Sequence, residues 1–168
     1  MKKIEKGSGI SFQLRTFRKI IKKLNAEKVV YAGSKYVCLP FAELNGYAIR
    51  DVKNQYFIPK TDLENGVKLV SKSIGMQYTK LNNKDELYNP DVLVLLGGLA
   101  MENSGGVSLE DVNELIKKLN PKHIIGLYFM SIFQKVGWDK KIDFDYIIDG
   151  QINPVDIYSK DEKYTDSI

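Results

Sequence analysis

The sequence is poorest in the side chains that most often carry chemistry. It has one cysteine, Cys38, and one histidine, His123, in 168 residues. A single thiol closes no internal disulfide, so the chain lacks the staples of small secreted domains. One thiol and one imidazole also fall short of a zinc set, and no metal site is expected. Long apolar runs are missing too. "VLVLLGGLAM" from Val92 stops well short of the ~20 residues that a bilayer-spanning helix needs. The start, "MKKIEKGSG", is charged and leads into no apolar stretch. Neither a secretory leader nor a membrane partner is therefore expected, and the cytoplasm is the expected compartment. Charge of one sign is also scarce: 25 basic residues against 21 acidic ones leave a net +4. That excess suits an anionic small molecule without marking a nucleic-acid-binding protein. The basic residues gather in "RTFRKIIKK", with no aromatic platform for stacking bases. Arg15, Arg18, Lys19, Lys22 and Lys23 read as the solvated face of a helix whose other face is Leu14, Phe17, Ile21 and Leu24.

What is present describes an ordinary folded chain. The hydrophobic fraction is 43% and the charged fraction 27%, enough apolar surface for one core at this length. Residues 1–158 read as a single α/β domain and 159–168, "KYTDSI" at their end, as a solvated tail. An amphipathic helix spans Ile10 to Leu24. "KVVYAG" is a strand ending in Gly33, and Pro40 suits the first turn of the helix that follows. "QYFIP" is a second strand. Over residues 60–75 a helical spacing (Leu63, Val67, Val70, Ile74) competes with Asn65-Gly66, a turn signal; the turn between extended segments is preferred. "MQYTKL" is a further strand. "VLVLL" is a continuous apolar run, as in a central strand buried on both faces. Ser108 and Asp111 form a capping box ahead of the helix that carries Leu109, Val112, Leu115, Ile116 and Leu119. "HIIGLYF" and "FDYIID" complete the strands. Alternating strands and helices imply an α/β, three-layer Rossmann-like domain with a mainly parallel central sheet.

In such sheets ligands bind beyond the carboxyl ends of the strands, at the switch point. That places the candidate site in "GSKYVCLP", "PKTD", "GGLAMENSGG", "MSIF" and "DGQINP". Gly33, Ser34, Gly97, Gly98, Glu102 and Ser104 are the candidate ligand-binding residues. Glycines let backbone approach a ligand closely, and Gly105-Gly106 precedes a helix whose amino end favours an anion. The spacing matches neither G-x-G-x-x-G nor the P-loop pattern.

Cys38 lies where a strand gives way to a helix, a position that lowers a thiol's pKa if the sulfur is exposed. If buried, it is a small apolar filler. Cys38 as nucleophile and Glu43 as proton carrier are the candidate catalytic pair, with Glu43 and Glu102 as a second acid–base pairing. His123 begins its strand and so falls on the opposite edge of the sheet from Cys38. Asp51, Asp62 and Asp149 sit at loop positions. Tyr36, Phe41 and Tyr47 could wall a site or pack a core.

The segments "AGSKYVCLPFAELNGYAIRD", "GMQY" and "VLVLLGGLAMENSGGVSLEDV" resemble an uncharacterised archaeal family found in methanogens, a conserved domain of unknown function. The resemblance runs from about Phe17 to Pro154. It implies a cytoplasmic archaeal setting and no reaction.

The function expected is a cytoplasmic module that binds an anionic small molecule, a nucleotide or cofactor, at the carboxyl ends of the strands. A thiol-dependent enzyme using Cys38 and a subunit or assembly factor of an archaeal complex are the competing functions. A homo-oligomer is compatible with all three.

Overall fold

A computed structural model describes residues 1–101 and 105–158. Seven strands form one sheet: β1 (Lys28–Gly33), β2 (Asn54–Pro59), β3 (Val67–Lys72), β4 (Gly75–Lys80), β5 (Val92–Leu96), β6 (His123–Phe129) and β7 (Tyr146–Gly150). Their order is β4-β3-β2-β1-β5-β6-β7. β2, β1, β5, β6 and β7 run parallel, while β3 and β4 are antiparallel additions beside β2. The chain leaves β1 for β2 on one side and later returns to place β5 on the other. The parallel order therefore reverses between β1 and β5, which is the switch point of the sheet.

The buried strands explain the order. β5 carries five apolar residues, all buried, so it can only be central. Its alternating side chains feed two cores. Val92, Val94 and Leu96 join Phe17 and Ile21 of α1 (Gly9–Lys23) and Ala42 of α2 (Cys38–Ala48) on one face. Leu93 and Leu95 join Val112, Leu115 and Leu119 of α3 (Leu109–Leu119), with Phe133 of α4 (Ile132–Lys135), on the other. The three layers expected are present.

Residues 60–75 resolve as the turn reading required. Asp62 caps a 3-10 turn at Leu63–Asn65 by accepting from the amides of Glu64 and Asn65, and β3 follows from Val67. α3 begins with the expected capping box: Ser108 accepts from the Asp111 amide, and Asp111 accepts from the Ser108 amide. The far end of α2 is closed by a buried side chain from the neighbouring strand. Nε2 of Gln55 donates toward the carbonyls of Gly46, Ile49 and Val52 at 3.2, 3.2 and 2.9 Å, satisfying the Val52 carbonyl and supplementing the amides of Ile49 and Val52 that already reach the other two. At the amino edge, Asp91 accepts from the amides of Glu27 and Lys28, both at 2.9 Å, and from the Lys122 ammonium at 2.6 Å. It fastens β1 to β5 there. The expected tail, 159–168, lies outside the described residues.

Candidate functional site

The carboxyl ends of β1 and β5 meet at the switch point, and four of the expected residues meet with them. After Gly33 the chain makes one turn through Lys35–Val37, and the Cys38 amide donates back to the Ser34 carbonyl at 3.0 Å. α2 then begins, so Cys38 stands at its first turn as the sequence implied. The sulfur is turned inward: Cys38 is 4% exposed. The Ser34 hydroxyl lies 3.3 Å from it, also buried. Gly98 covers the pair so closely that a Cβ there would sit 2.4 Å from both Cys38 Sγ and Ser34 Oγ. A Cβ on Gly33 would sit 2.4 Å from Cys38 Cβ. Both glycines are therefore required by close approach rather than by backbone angle. The result is a closed junction: the chain's own thiol, hydroxyl and backbone fill the cleft between the two strand ends.

The polar groups above this junction come mostly from residues that the sequence did not single out. Lys60 is the first residue after β2. Its amide donates to the Gly33 carbonyl at 2.7 Å. Its side chain reaches over β1 to the loop beyond β5, where the ammonium lies 3.1 Å from where a Cβ of Gly105 would be. Lys35 stands exposed on the turn and its charge helps hold the Asp62 carboxyl below the usual range, after the larger effect of the Asn65 side chain. Tyr36, in the same turn, is 85% exposed. The other two aromatics are occupied: Phe41 packs on Phe129 with ring centroids 5.1 Å apart, and Tyr47 lies under the Arg50 guanidinium at 4.7 Å. The available signal for Lys60 was its position directly after a strand stopped by proline.

Glu43 is half-buried on α2, and burial raises its pKa. Glu102 and Ser104 lie outside the described residues. Gly97 is half-buried beside Tyr128 and Ile132. The loop after β5 folds back on itself, with Val107 donating to the Leu99 carbonyl and Gly106 to that of Met101. The amino end of α3 is met by the chain's own Glu110 and Asp111. Further along the same edge, Asp149 accepts from the Ser131 amide (3.0 Å) and hydroxyl (2.8 Å), and from Gln151 (2.9 Å). His123 is at the opposite edge, paired with Asp145 at 2.8 Å. Asp51 pairs with Arg18 and Lys22 at that edge as well.

Of two grooves among the described residues, the larger lies at the amino edge, between the end of α1 and the start of β2, lined by Lys22, Glu27, Asp51 and Lys53. The smaller runs between the start of α3 and Trp138. Neither opens onto the Ser34–Gly98 junction, and chemistry is better placed by the strand order than by groove size. Among the described residues no three His, Cys, Asp or Glu side chains are grouped to hold a metal ion, and no helix is long and apolar enough to cross a membrane.

Residues 8–153 match the model of a family described as uncharacterised proteins conserved in archaea (DUF2124). The chain belongs to this archaeal family. It is 53% identical over 161 residues to an uncharacterised protein of Methanocaldococcus jannaschii, covering 96% of each chain. It is 37% identical over 155 residues to one from Methanothermobacter thermautotrophicus, covering 91% of this chain and 96% of that one. A crystal structure of a protein of unknown function from Methanothermobacter thermautotrophicus superposes with a TM-score of 0.84 at 35% identity, over 95% of this chain and 99% of that one. Two of the segments that resemble this family, "AGSKYVCLPFAELNGYAIRD" and "VLVLLGGLAMENSGGVSLEDV", include Gly33, Ser34, Cys38 and Gly98, which close the switch point.

Proposed function

We propose that this archaeal family member binds an anionic small molecule, a phosphate-bearing nucleotide or cofactor, on the carboxyl edge of the sheet above the β1–β5 switch point. The observation that carries the reading is Lys60, whose ammonium crosses the end of β1 toward Gly105. Lys35 adds a second positive charge on the turn that enters α2, where the positive end of the helix dipole also favours an anion. Tyr36 offers an exposed ring to an aromatic base. The order of the five parallel strands, 2-1-3-4-5 when the antiparallel pair is set aside, is one that places ligands at this switch point. Cys38, Ser34, Gly33 and Gly98 form the floor on which the ligand rests, with the thiol as filler rather than nucleophile. This reading keeps the protein in the cytoplasm, where such ligands are found.

The test is thermal unfolding against a panel of nucleotides and phosphorylated cofactors, with inorganic phosphate as the control. A ligand at 100 times its Kd adds ~2.7 kcal/mol. That raises the Tm of a chain of this size by roughly 5–10 °C. Lys60→Ala should weaken the responding ligand at least ~10-fold while leaving the unliganded Tm within ~2 °C, because the side chain is exposed. If no phosphate-bearing compound shifts Tm at millimolar concentration, the reading fails.

A further inference from the structure

The net +4 of the chain hides a division. Residues 1–24 hold eight of the 25 basic residues and one acid, Glu5, so they are net +7 and the rest of the chain is net −3. Charge divided in this way, rather than its total, is what directs a surface toward an anionic polymer. The fold keeps these cations on one face. α1 has five basic residues and no acidic one. Phe17, Ile20 and Ile21 turn into the core. Arg15, Lys19 and Lys22, stepping by four and three residues, run along the opposite side and are exposed, with Arg18 and Lys23 flanking them. Lys53 shares a groove with Lys22, and Arg50 stands exposed close by. Three acids border the face, Glu5, Glu27 and Asp51. Glu5 lies 3.9 Å from Lys19, and Asp51 3.4 Å from Arg18 and 3.8 Å from Lys22. Exposed pairs at these distances are weak, so they yield to phosphate. A face that needed only solvation would mix both signs, as α3 does with Glu110, Asp111 and Glu114 against Lys117 and Lys118.

We propose that the outer face of α1 binds the phosphate backbone of a DNA duplex, without regard to sequence. From Arg15 to Lys22 is about 10 Å of helix, the axial length of three successive phosphates on one strand. The rings beside the row are covered, Phe12 by the backbone at Gly7 and Tyr146 by the Lys23 ammonium. A single strand would need such rings to stack its bases. Duplex RNA is read through its ribose hydroxyls, whereas this row offers only ammonium and guanidinium groups. An anionic membrane would draw on the apolar side of the helix, which the core already holds. The proposal does not rest on the small-molecule function proposed for the carboxyl edge.

Fluorescence anisotropy of a labelled DNA duplex of about 20 base pairs and mixed sequence, in 50 to 200 mM KCl, tests it. Binding is expected at micromolar protein in 50 mM salt. Four phosphate contacts give a log–log salt slope of about −3.6, so affinity should fall about 100-fold across that range. Arg15→Gln, Lys19→Gln and Lys22→Gln together should weaken binding at least ~30-fold at 50 mM and bring the slope to about −1. The Tm of that variant should stay within ~2 °C of the parent's, because the side chains are exposed. Lys117→Gln with Lys118→Gln removes two charges from α3 and should change the Kd less than ~3-fold. No binding at about 100 µM protein in 50 mM salt overturns the proposal. A Kd that ignores salt, or a triple variant that binds as the parent does, overturns it equally. Tighter binding to duplex RNA of the same length, or to vesicles of anionic lipid in place of the duplex, overturns the assignment to DNA.

Discussion

Replacing Gly98 with alanine is the sharpest probe of the closed switch point. The new Cβ would lie 2.4 Å from Cys38 Sγ and 2.4 Å from Ser34 Oγ, more than 1 Å inside ordinary contact. The Ser34 hydroxyl can turn away about χ1. The sulfur cannot easily do so, because Cys38 sits in the core between α2 and the sheet. Overpacking of this kind costs ~2–3 kcal/mol, which lowers Tm by roughly 4–12 °C in a chain of this length. Cys38→Ala alone removes one buried heavy atom and costs ~1–2 kcal/mol. If the sulfur is the obstacle, the methyl of Gly98→Ala occupies the space that Cys38→Ala vacates. The double variant should then be more stable than the sum of the singles by at least ~1 kcal/mol. Gly33→Ala is the control. Its Cβ meets Cys38 Cβ at 2.4 Å, an atom that alanine retains, so Cys38→Ala should rescue it far less. Urea unfolding followed by circular dichroism reads the parent, the three single variants and the two double variants. Additive costs in the Gly98 cycle, or equal rescue of the two glycines, would refute the reasoning.

Four further outcomes follow from the packing and the charges. Cys38, 4% exposed, should react with a thiol reagent more than ~100-fold slower than a free thiol until denaturant is added, because reaction must wait for local opening; rapid modification of the native protein would return the thiol to the candidate catalytic groups. Burial raises the Glu43 pKa, so ionised Glu43 costs stability at neutral pH and the cost disappears as pH falls through the raised folded value; Glu43→Gln should therefore stabilise at pH 7 by a few tenths of a kcal/mol and lose that advantage in acid, as measured by unfolding at several pH values. Asp91 behaves oppositely: burial works against its charge, but Lys122 and the amides of Glu27 and Lys28 lower its pKa overall, so its contribution is present above the unfolded value near ~3.9 and is lost as pH falls through the folded one. Asp91→Asn should cost ~1–2 kcal/mol at pH 7 and nearly nothing below the folded pKa. Gln55→Leu should cost ~1–2 kcal/mol in the same assay, because the Val52 carbonyl would lose its donor while those of Gly46 and Ile49 keep the amides of Ile49 and Val52.

The layers were legible because period and burial agree. Five consecutive apolar residues at Val92–Leu96 can only be a strand covered twice, and Ser108 with Asp111 marks a helix start by local chemistry alone. The direction of β3 and β4 was not legible. Asn65-Gly66 announces a turn, and a turn of this length returns the chain antiparallel, but nothing in "VKLVSK" says which neighbour it will meet. The candidate site was half legible. Gly33, Ser34, Cys38 and Gly98 do converge, because strand ends at a switch point must. Whether the sulfur faces water depends on one turn, Lys35–Val37, whose closure by the Cys38 amide leaves no trace in residue type. Lys60 stands in "PKTD", one of the loops at the carboxyl edge, but among 25 basic residues its residue type did not set it apart until the sheet order brought it across β1.

The position of the thiol now has a structural account that also constrains function. A cysteine at a helix mouth gains reactivity only if the strand ends beside it stay apart. Here two glycines let them close, and the sulfur becomes the wedge that sets their spacing. The carboxyl edge is consequently a floor of backbone with charges standing on it, not a cleft. In the binding function proposed above, an anion on this floor would meet Lys35, Lys60 and the amino end of α2, which favour charge over shape, and the exposed ring of Tyr36 would supply the choice among phosphate-bearing compounds.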